Sequence, residues 1–174
     1  YAERWAARRG TSLGALARIE GWGHRTAPLT FDAKMAESAG QRYVLPHTRR
    51  AIEDAFGRAG LASVWGLSGI ETHDCFTTSE YMAIDHFGLT APGESWKAIE
   101  DGVIDFDGKL PINPSGGLIG AGHPLGATGV RQLLDASLQV TGAAGDYQVA
   151  GARRFATLNI GGSGTTSCVF VVGR

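Results

Sequence analysis

Residues Ile112 to Gly129 read INPSGGLIGAGHPLGATG. Glycine stands at Gly116, Gly117, Gly120, Gly122, Gly126 and Gly129, and mostly apolar or small residues fill the spaces between. A flexible linker is Gly/Ser-rich and polar, so this stretch is not one. Glycine inside an apolar run marks close backbone approach or a positive φ. Both are ways for a buried site to turn backbone N–H groups toward a ligand. A second run, Gly161-Gly162-Ser163-Gly164, has the same character. Neither is a phosphate loop: GxxxxGK[ST] is absent, and Gly120-Ala121-Gly122-His123-Pro124-Leu125-Gly126 lacks the GxGxxG spacing. The 26 glycines of the chain are about twice the usual share. Most fall in two clusters, Gly102–Gly129 and Gly142–Gly173.

Working outward from Ile112–Gly129, the pattern alternates between strand and helix. Ala15–Trp22 reads as a strand, with Leu16, Arg18 and Glu20 opposed to Ala17 and Ile19. Gly23–Gly40 reads as a loop. Val44–Ala59 carries one apolar stripe through Thr48, Ile52, Ala55, Phe56 and Ala59, so it reads as a helix ended by Gly60. Leu67–Thr72 is a short apolar strand leading into His73-Asp74-Cys75-Phe76. Thr77 or Thr78 is placed to cap a helix to about Phe87, with Glu80 in capping-box position. Leu118–Ala121 reads as extended. Leu125–Thr141 reads as a helix burying Val130, Leu133, Leu134, Ser137 and Leu138. Arg154–Ile160 and Thr165–Val172 form a hairpin across Gly161–Gly164. Such alternation calls for a layered α/β sheet.

Composition narrows the function. The chain has 174 residues, 43% of them hydrophobic and 19% charged, which is globular composition for one domain or one domain with an appendage. Sixteen basic against 17 acidic residues leave a net charge of -1, so no excess of positive charge favours nucleic acid or a membrane surface. No apolar run nears the ~18 residues of a membrane span. The two cysteines make neither a disulfide framework nor a CxxC metal knuckle, and a cytoplasmic chain without metal is expected.

Three turns at strand ends hold the reactive groups: His73–Phe76, Gly122–Gly129 and Asn159–Gly164. In open α/β folds, ligand sites gather at carboxyl ends of strands. Two imidazoles, a thiol, an amide and glycine N–H groups suit acyl-transfer or carbanion chemistry. A thiol whose pKa an imidazole lowers moves protons near neutrality, and N–H groups hold a developing oxyanion.

These three motifs, in this order, resemble the C-terminal part of a thiolase. INPSGGLIGAGHPLGATG carries the GHPxGxTG motif, and HDCF at His73–Phe76 resembles the sterol carrier protein 2 (SCP2) branch, where the common branch has NEAF. The resemblance implies a thiolase-like α/β C-terminal domain, with a mixed five-stranded sheet sandwiched by helices. Residues 1–25 would close a preceding N-terminal domain, and residues 26–174 would form the C-terminal domain.

It also implies roles. His123 resembles the histidine that activates the nucleophilic cysteine and helps form an oxyanion hole, and His73 takes the place of the asparagine of that hole. Cys75 resembles the general acid/base that takes the α-proton. Gly161 resembles the glycine whose N–H serves a second hole. Asn159 stands where the common branch keeps its acid/base cysteine. Gly122, Gly162, Asn159 and Phe76 are expected to contact substrate.

CoA and acyl-CoA are the expected substrates, with no further cofactor. The attacking cysteine belongs to an upstream half, expected in cis or from a partner chain, and homo-oligomers are expected by analogy. Cys168, in an apolar strand, reads as core filling, and Asp74 and Asn113 as structural. A thiolase-like aldolase of steroid side-chain acyl-CoA, and a non-catalytic half-thiolase that binds a partner chain, are the rival readings.

Overall fold

The computed structural model describes all residues, 1–174. In chain order the elements are α1 (Ala2–Arg8), β1 (Arg18–Thr26), α2 (Phe31–Ser38), α3 (Pro46–Ala59), β2 (Gly69–Glu71), α4 (Thr77–Phe87), α5 (Ser95–Glu100), α6 (Gly117–Ala121), α7 (Thr128–Thr141), β3 (Arg154–Gly161) and β4 (Thr166–Gly173). The strands form one mixed sheet in the order β1-β4-β3-β2. β2 runs parallel to β3, pairing Ile70 with Ala156, and the other pairs are antiparallel. The β3–β4 hairpin sets Asn159 opposite Cys168.

The main apolar core lies on one face of the sheet. There Ala51, Ile52, Ala55 and Phe56 of α3 meet Ile84 and Phe87 of α4 and Ala156, Leu158, Val169 and Val171 of the strands. Pro46 opens α3 at its first turn, and Gly60, at φ +66°, closes it in the left-handed cap conformation. Small residues let α3 lie very close to β1. A Cβ on Gly23 would overlap the Ala51 carbonyl, and one on Gly21 that of Ala55.

Four expectations are corrected. The sheet has four strands, not five. Beside β2, where a fifth would run, Ile112 makes a single parallel bridge to Ile70. Pro111 before it has no N–H to extend the ladder, and after it Asn113 turns to a φ of +53° and takes the Thr72 N–H on its side chain. Leu118–Ala121 is not extended; it lies in the short helix α6.

The expected loop Gly23–Gly40 holds the end of β1 and all of α2. Thr30 caps that helix by accepting from the Ala33 N–H at 3.4 Å. None of its residues is buried, so no apolar stripe of helical period announced it.

The expected buried face of α7 holds only in part: Leu133 packs against the core and Ser137 and Leu138 are half-buried, but Val130 and Leu134 face outward. Thr128, Gln132, Asp135, Ala136, Gln139 and Val140 are buried, while Val130 is 71% and Leu134 56% exposed. The helix turns its amides toward partners that only the fold supplies. Gln139 donates to the Tyr147 carbonyl at 2.6 Å and accepts from the Val149 N–H at 2.8 Å.

Gly23→Ala is expected to destabilise the protein by roughly 3 kcal/mol or more, since backbone must move to admit the methyl. Gly57→Ala, on the exposed side of α3 with open space around it, is expected to stabilise by about 0.5–1 kcal/mol. Denaturant unfolding of the two variants checks both the close approach and the face of the helix.

Candidate active site

The three turns meet at one cavity of about 590 Å³. His73, Cys75 and Phe76 come from the segment after β2. His123 comes from the loop between α6 and α7, and Asn159, Gly161 and Gly162 from the end of β3. Leu45, Met82, Leu125 and Ile160 add apolar wall. Gly122 stands outside this lining, at the C-terminal end of α6 with φ +93°. A second cavity of about 560 Å³ near Arg153 and Arg174 has no imidazole, thiol or carboxylate in its wall, so the chemistry concentrates at the first.

Buried side chains stitch the turns together. Gln132 is fully buried; its amide donates to the Thr72 carbonyl at 2.8 Å and accepts from Asn159 Nδ2 at 2.5 Å. Asp74, just after His73, accepts from the Leu118 N–H at 2.6 Å. A Cβ on Gly117 would overlap that carboxylate, so glycine is required there. Asn113 holds a left-handed φ of +53°. Its Oδ1 accepts from the Thr72 N–H at 2.6 Å, and its Nδ2 donates to Thr72 Oγ1 and Glu80 Oε1, both at 3.1 Å. Glu80 therefore does not close a capping box; Phe76 occupies the cap position of α4 with no side-chain cap. Burial and the nearby Asp74 raise the Glu80 carboxyl above its ordinary range.

Glu71 is a further link, fully buried at the end of β2. It accepts from Ser115 Oγ at 2.7 Å and from the Ser115 N–H at 3.2 Å. Arg131 donates to Ser115 Oγ at 3.3 Å and to Asp135 at 2.9 Å, and Tyr147 donates to Asp135 at 2.9 Å. Burial is the main cause that pushes the Glu71 carboxyl up from 4.5 to about 7, with Asp135 adding and Ser115 and Arg131 opposing. Neither Glu71 nor Gln132 stood out in the sequence. A glutamate in a short apolar strand and a glutamine on the polar side of a helix are unremarkable until their partners are known.

Hydrogen bonds assign the imidazole protons. Thr128 Oγ1 donates to the Pro124 carbonyl at 3.1 Å, so it accepts from His123 Nδ1 at 2.7 Å. His123 Nε2 is left as the basic nitrogen. The His73 and His123 rings stand edge to face, 4.9 Å between centroids. Burial, and then the neighbouring His123, hold His73 below its ordinary pKa, against hydrogen bonding from Asn159 and the charge of Asp74. His73 is therefore neutral at pH 7. Its Nδ1 is buried without a partner in the chain.

Cys168 is not core filling. It is half-buried and lines the cavity, on the strand neighbouring Asn159. Burial pushes its thiol up, which disfavours the reactive thiolate.

This fold and these motifs define a protein of the thiolase superfamily. The family described as Thiolase C-terminal domain-like matches residues 33–174, and the chain belongs to it. It is 42% identical over 127 residues to an acetyl-CoA acetyltransferase of Methanothermobacter thermautotrophicus, an alignment covering 73% of this chain and 33% of that protein. It is 45% identical over 114 residues to sterol carrier protein 2 of Bos taurus, covering 66% of this chain and 21% of that protein. The chain thus spans a fifth to a third of the length of these relatives. Among solved structures, an Ltp2-ChsH2(DUF35) aldolase superimposes with a TM-score of 0.74 at 21% identity, over 90% of this chain and 39% of that one. A monomeric SCP2-thiolase like protein type 1 from Mycobacterium smegmatis gives 0.66 at 16%, over 97% and 31%. At these identities the two structures establish the fold.

Glu71 yields a pH test. Its pKa is higher in the fold than in the unfolded chain, so the folded state binds the proton more tightly. Its contribution is fully present below about pH 4.5 and is lost as pH rises through about 7. Glu71→Gln keeps the shape and removes the titration. The stability of the native protein relative to this variant is expected to fall by on the order of 2 kcal/mol across that window. Thermal melts of both proteins from pH 4 to 8 check this; parallel curves would overturn it.

Proposed function

We propose that this chain supplies the acid/base and oxyanion-hole half of a thiolase-type acyl-CoA acyltransferase. The observation that carries the reading is the meeting of His73, Cys75, His123, Asn159 and the Gly161–Gly162 turn on one cavity. The reaction would be thiolytic cleavage of a 3-oxoacyl-CoA, or the reverse Claisen condensation.

The groups divide the work as follows. In the cleavage direction, a cysteine thiolate attacks the 3-oxo carbon, and the Cα–Cβ bond breaks. The electron pair passes to the acetyl-CoA enolate, and Cys75 gives its proton to Cα; the thiol of CoA then takes the acyl group from the attacking cysteine and its proton restores Cys75. In condensation Cys75 takes the proton back from Cα. The basic Nε2 of His123 accepts the proton of the attacking cysteine, and the resulting imidazolium N–H faces a thioester oxygen. His73 and the glycine N–H groups complete the stabilisation of negative oxygen. The amide of Asn159 does not titrate near neutrality, and Gln132 holds its Nδ2. This supports placing the acid/base role on Cys75.

The attacking cysteine is neither Cys75, which holds the proton, nor Cys168, whose thiol is pushed up. The other half of the site is therefore assigned to an upstream part of the same protein or to a partner chain. Val130 and Leu134 of α7 and Leu125 before it, all exposed, offer that half an apolar face.

In the complete protein, Cys75→Ala is expected to lower thiolysis of acetoacetyl-CoA by about 10²- to 10⁴-fold. Thiolysis close to that of the unmodified enzyme would overturn the assignment. The aldolase neighbour motivates a second reading, a thiolase-like lyase. Ketone or aldehyde release from a 3-hydroxyacyl-CoA, undiminished by Cys75→Ala, would favour it, because a retro-aldol step does not use that thiol.

A further inference from the structure

The turn that carries Gly161 and Gly162 is held from outside the cavity. Lys34, on the surface helix α2, reaches across 129 residues of sequence to it. The ammonium group donates to the Ser163 carbonyl at 3.0 Å, to Thr165 Oγ1 at 2.9 Å and to the Leu29 carbonyl at 3.3 Å. Its three protons are thus all placed. Thr165 Oγ1 accepts from Lys34 and donates in turn to the Gly162 carbonyl at 2.5 Å. Two successive peptide carbonyls of the turn are therefore drawn to one cation, directly at Ser163 and through a hydroxyl at Gly162.

The backbone there needs such a hold. Gly162, Ser163 and Gly164 take left-handed φ of +57°, +53° and +79°. Glycine does so freely, but a serine is strained in that region unless its surroundings fix it. A Cβ on Gly162 would come within 3.3 Å of Thr165, so the turn is tightly folded on itself. A charge-assisted bond is shorter and stronger than a neutral one. The peptides held in this way carry the N–H groups of Ser163 and Gly164, so the hold acts on the shape of the turn next to Gly161 and Gly162.

We propose that Lys34 is a positioning residue that locks the Gly161–Gly164 turn in the conformation that presents its N–H groups to the cavity. It touches no reacting atom. It acts through Ser163 and Thr165 on the conformation of the turn, and its catalytic consequence rests on the acyltransferase reading above.

The test uses the complete protein with Lys34→Met, which keeps the length and removes the charge, and Lys34→Arg, which keeps the charge. Amide hydrogen exchange over residues 161–165 reads the turn, and acetoacetyl-CoA thiolysis reads its consequence. In Lys34→Met the turn should exchange at least about tenfold faster, and exchange in the core strands should be unchanged. kcat should fall roughly tenfold or more, with KM within about threefold, because the lost donor geometry matters most at the oxyanion. Lys34→Arg should recover much of both.

Unchanged exchange at the turn, or unchanged kcat with faster exchange, overturns the proposal. So does a loss shared by the core strands, which would mark a purely structural role. If the complete protein does not cleave acetoacetyl-CoA, the acyltransferase reading fails, and the exchange result alone decides whether Lys34 holds the turn.

Discussion

The amide of Gln132 sits at the junction of the molecule. One end holds the Thr72 carbonyl at the exit of β2, and the other holds Asn159 near the end of β3. The helix that carries it begins a few residues after His123. A buried amide left without partners costs about 1–3 kcal/mol per group, so α7 is compelled to sit where both ends are satisfied. That position draws the three turns together. The inward polar row of Thr128, Gln132, Asp135 and Gln139 follows from the same constraint.

Around this junction lies a buried network in which geometry depends on charge. Ser115 is held by Glu71 and approached by Arg131, and Asp135 is shared by Arg131 and Tyr147. The Tyr147 hydroxyl is pushed up to about 12, chiefly by burial, with Asp135 next. In such a low-dielectric region hydrogen bonds are strong, and an unpaired group is costly. The network lies behind the cavity. In front of it, burial and His123 hold His73 below its ordinary pKa, and Thr128 engages Nδ1 of His123.

Turning a polar row of α7 inward leaves part of its apolar stripe outward. Val130 and Leu134 are exposed on a helix that otherwise packs well. Clusters of exposed apolar residues mark interaction surfaces more often than free ones. The relatives are three to five times the length of the matched segment, so chain that could cover this side exists in those proteins. The rest of the site, including the attacking cysteine, is proposed to arrive with whatever covers it.

Much of this was legible in the residues alone. The glycines at 116–129 and 161–164 and HDCF after an apolar strand located turns that line one cavity, and strand–helix alternation pointed to the layered α/β class. These are local signals, carried by φ requirements, periodicity and residue chemistry. What escaped was set by distant partners. The sequence could not show that Pro111 and the left-handed turn at Asn113 reduce a fifth strand to one bridge beside β2. Helix α2 has no buried face to betray it, and Val130 and Leu134 of the α7 stripe face outward because amide partners outweighed apolar burial. The strand pairing that brings Cys168 beside Asn159, and the reach of Lys34 to the glycine turn, exist only once residues far apart in the chain have been folded together.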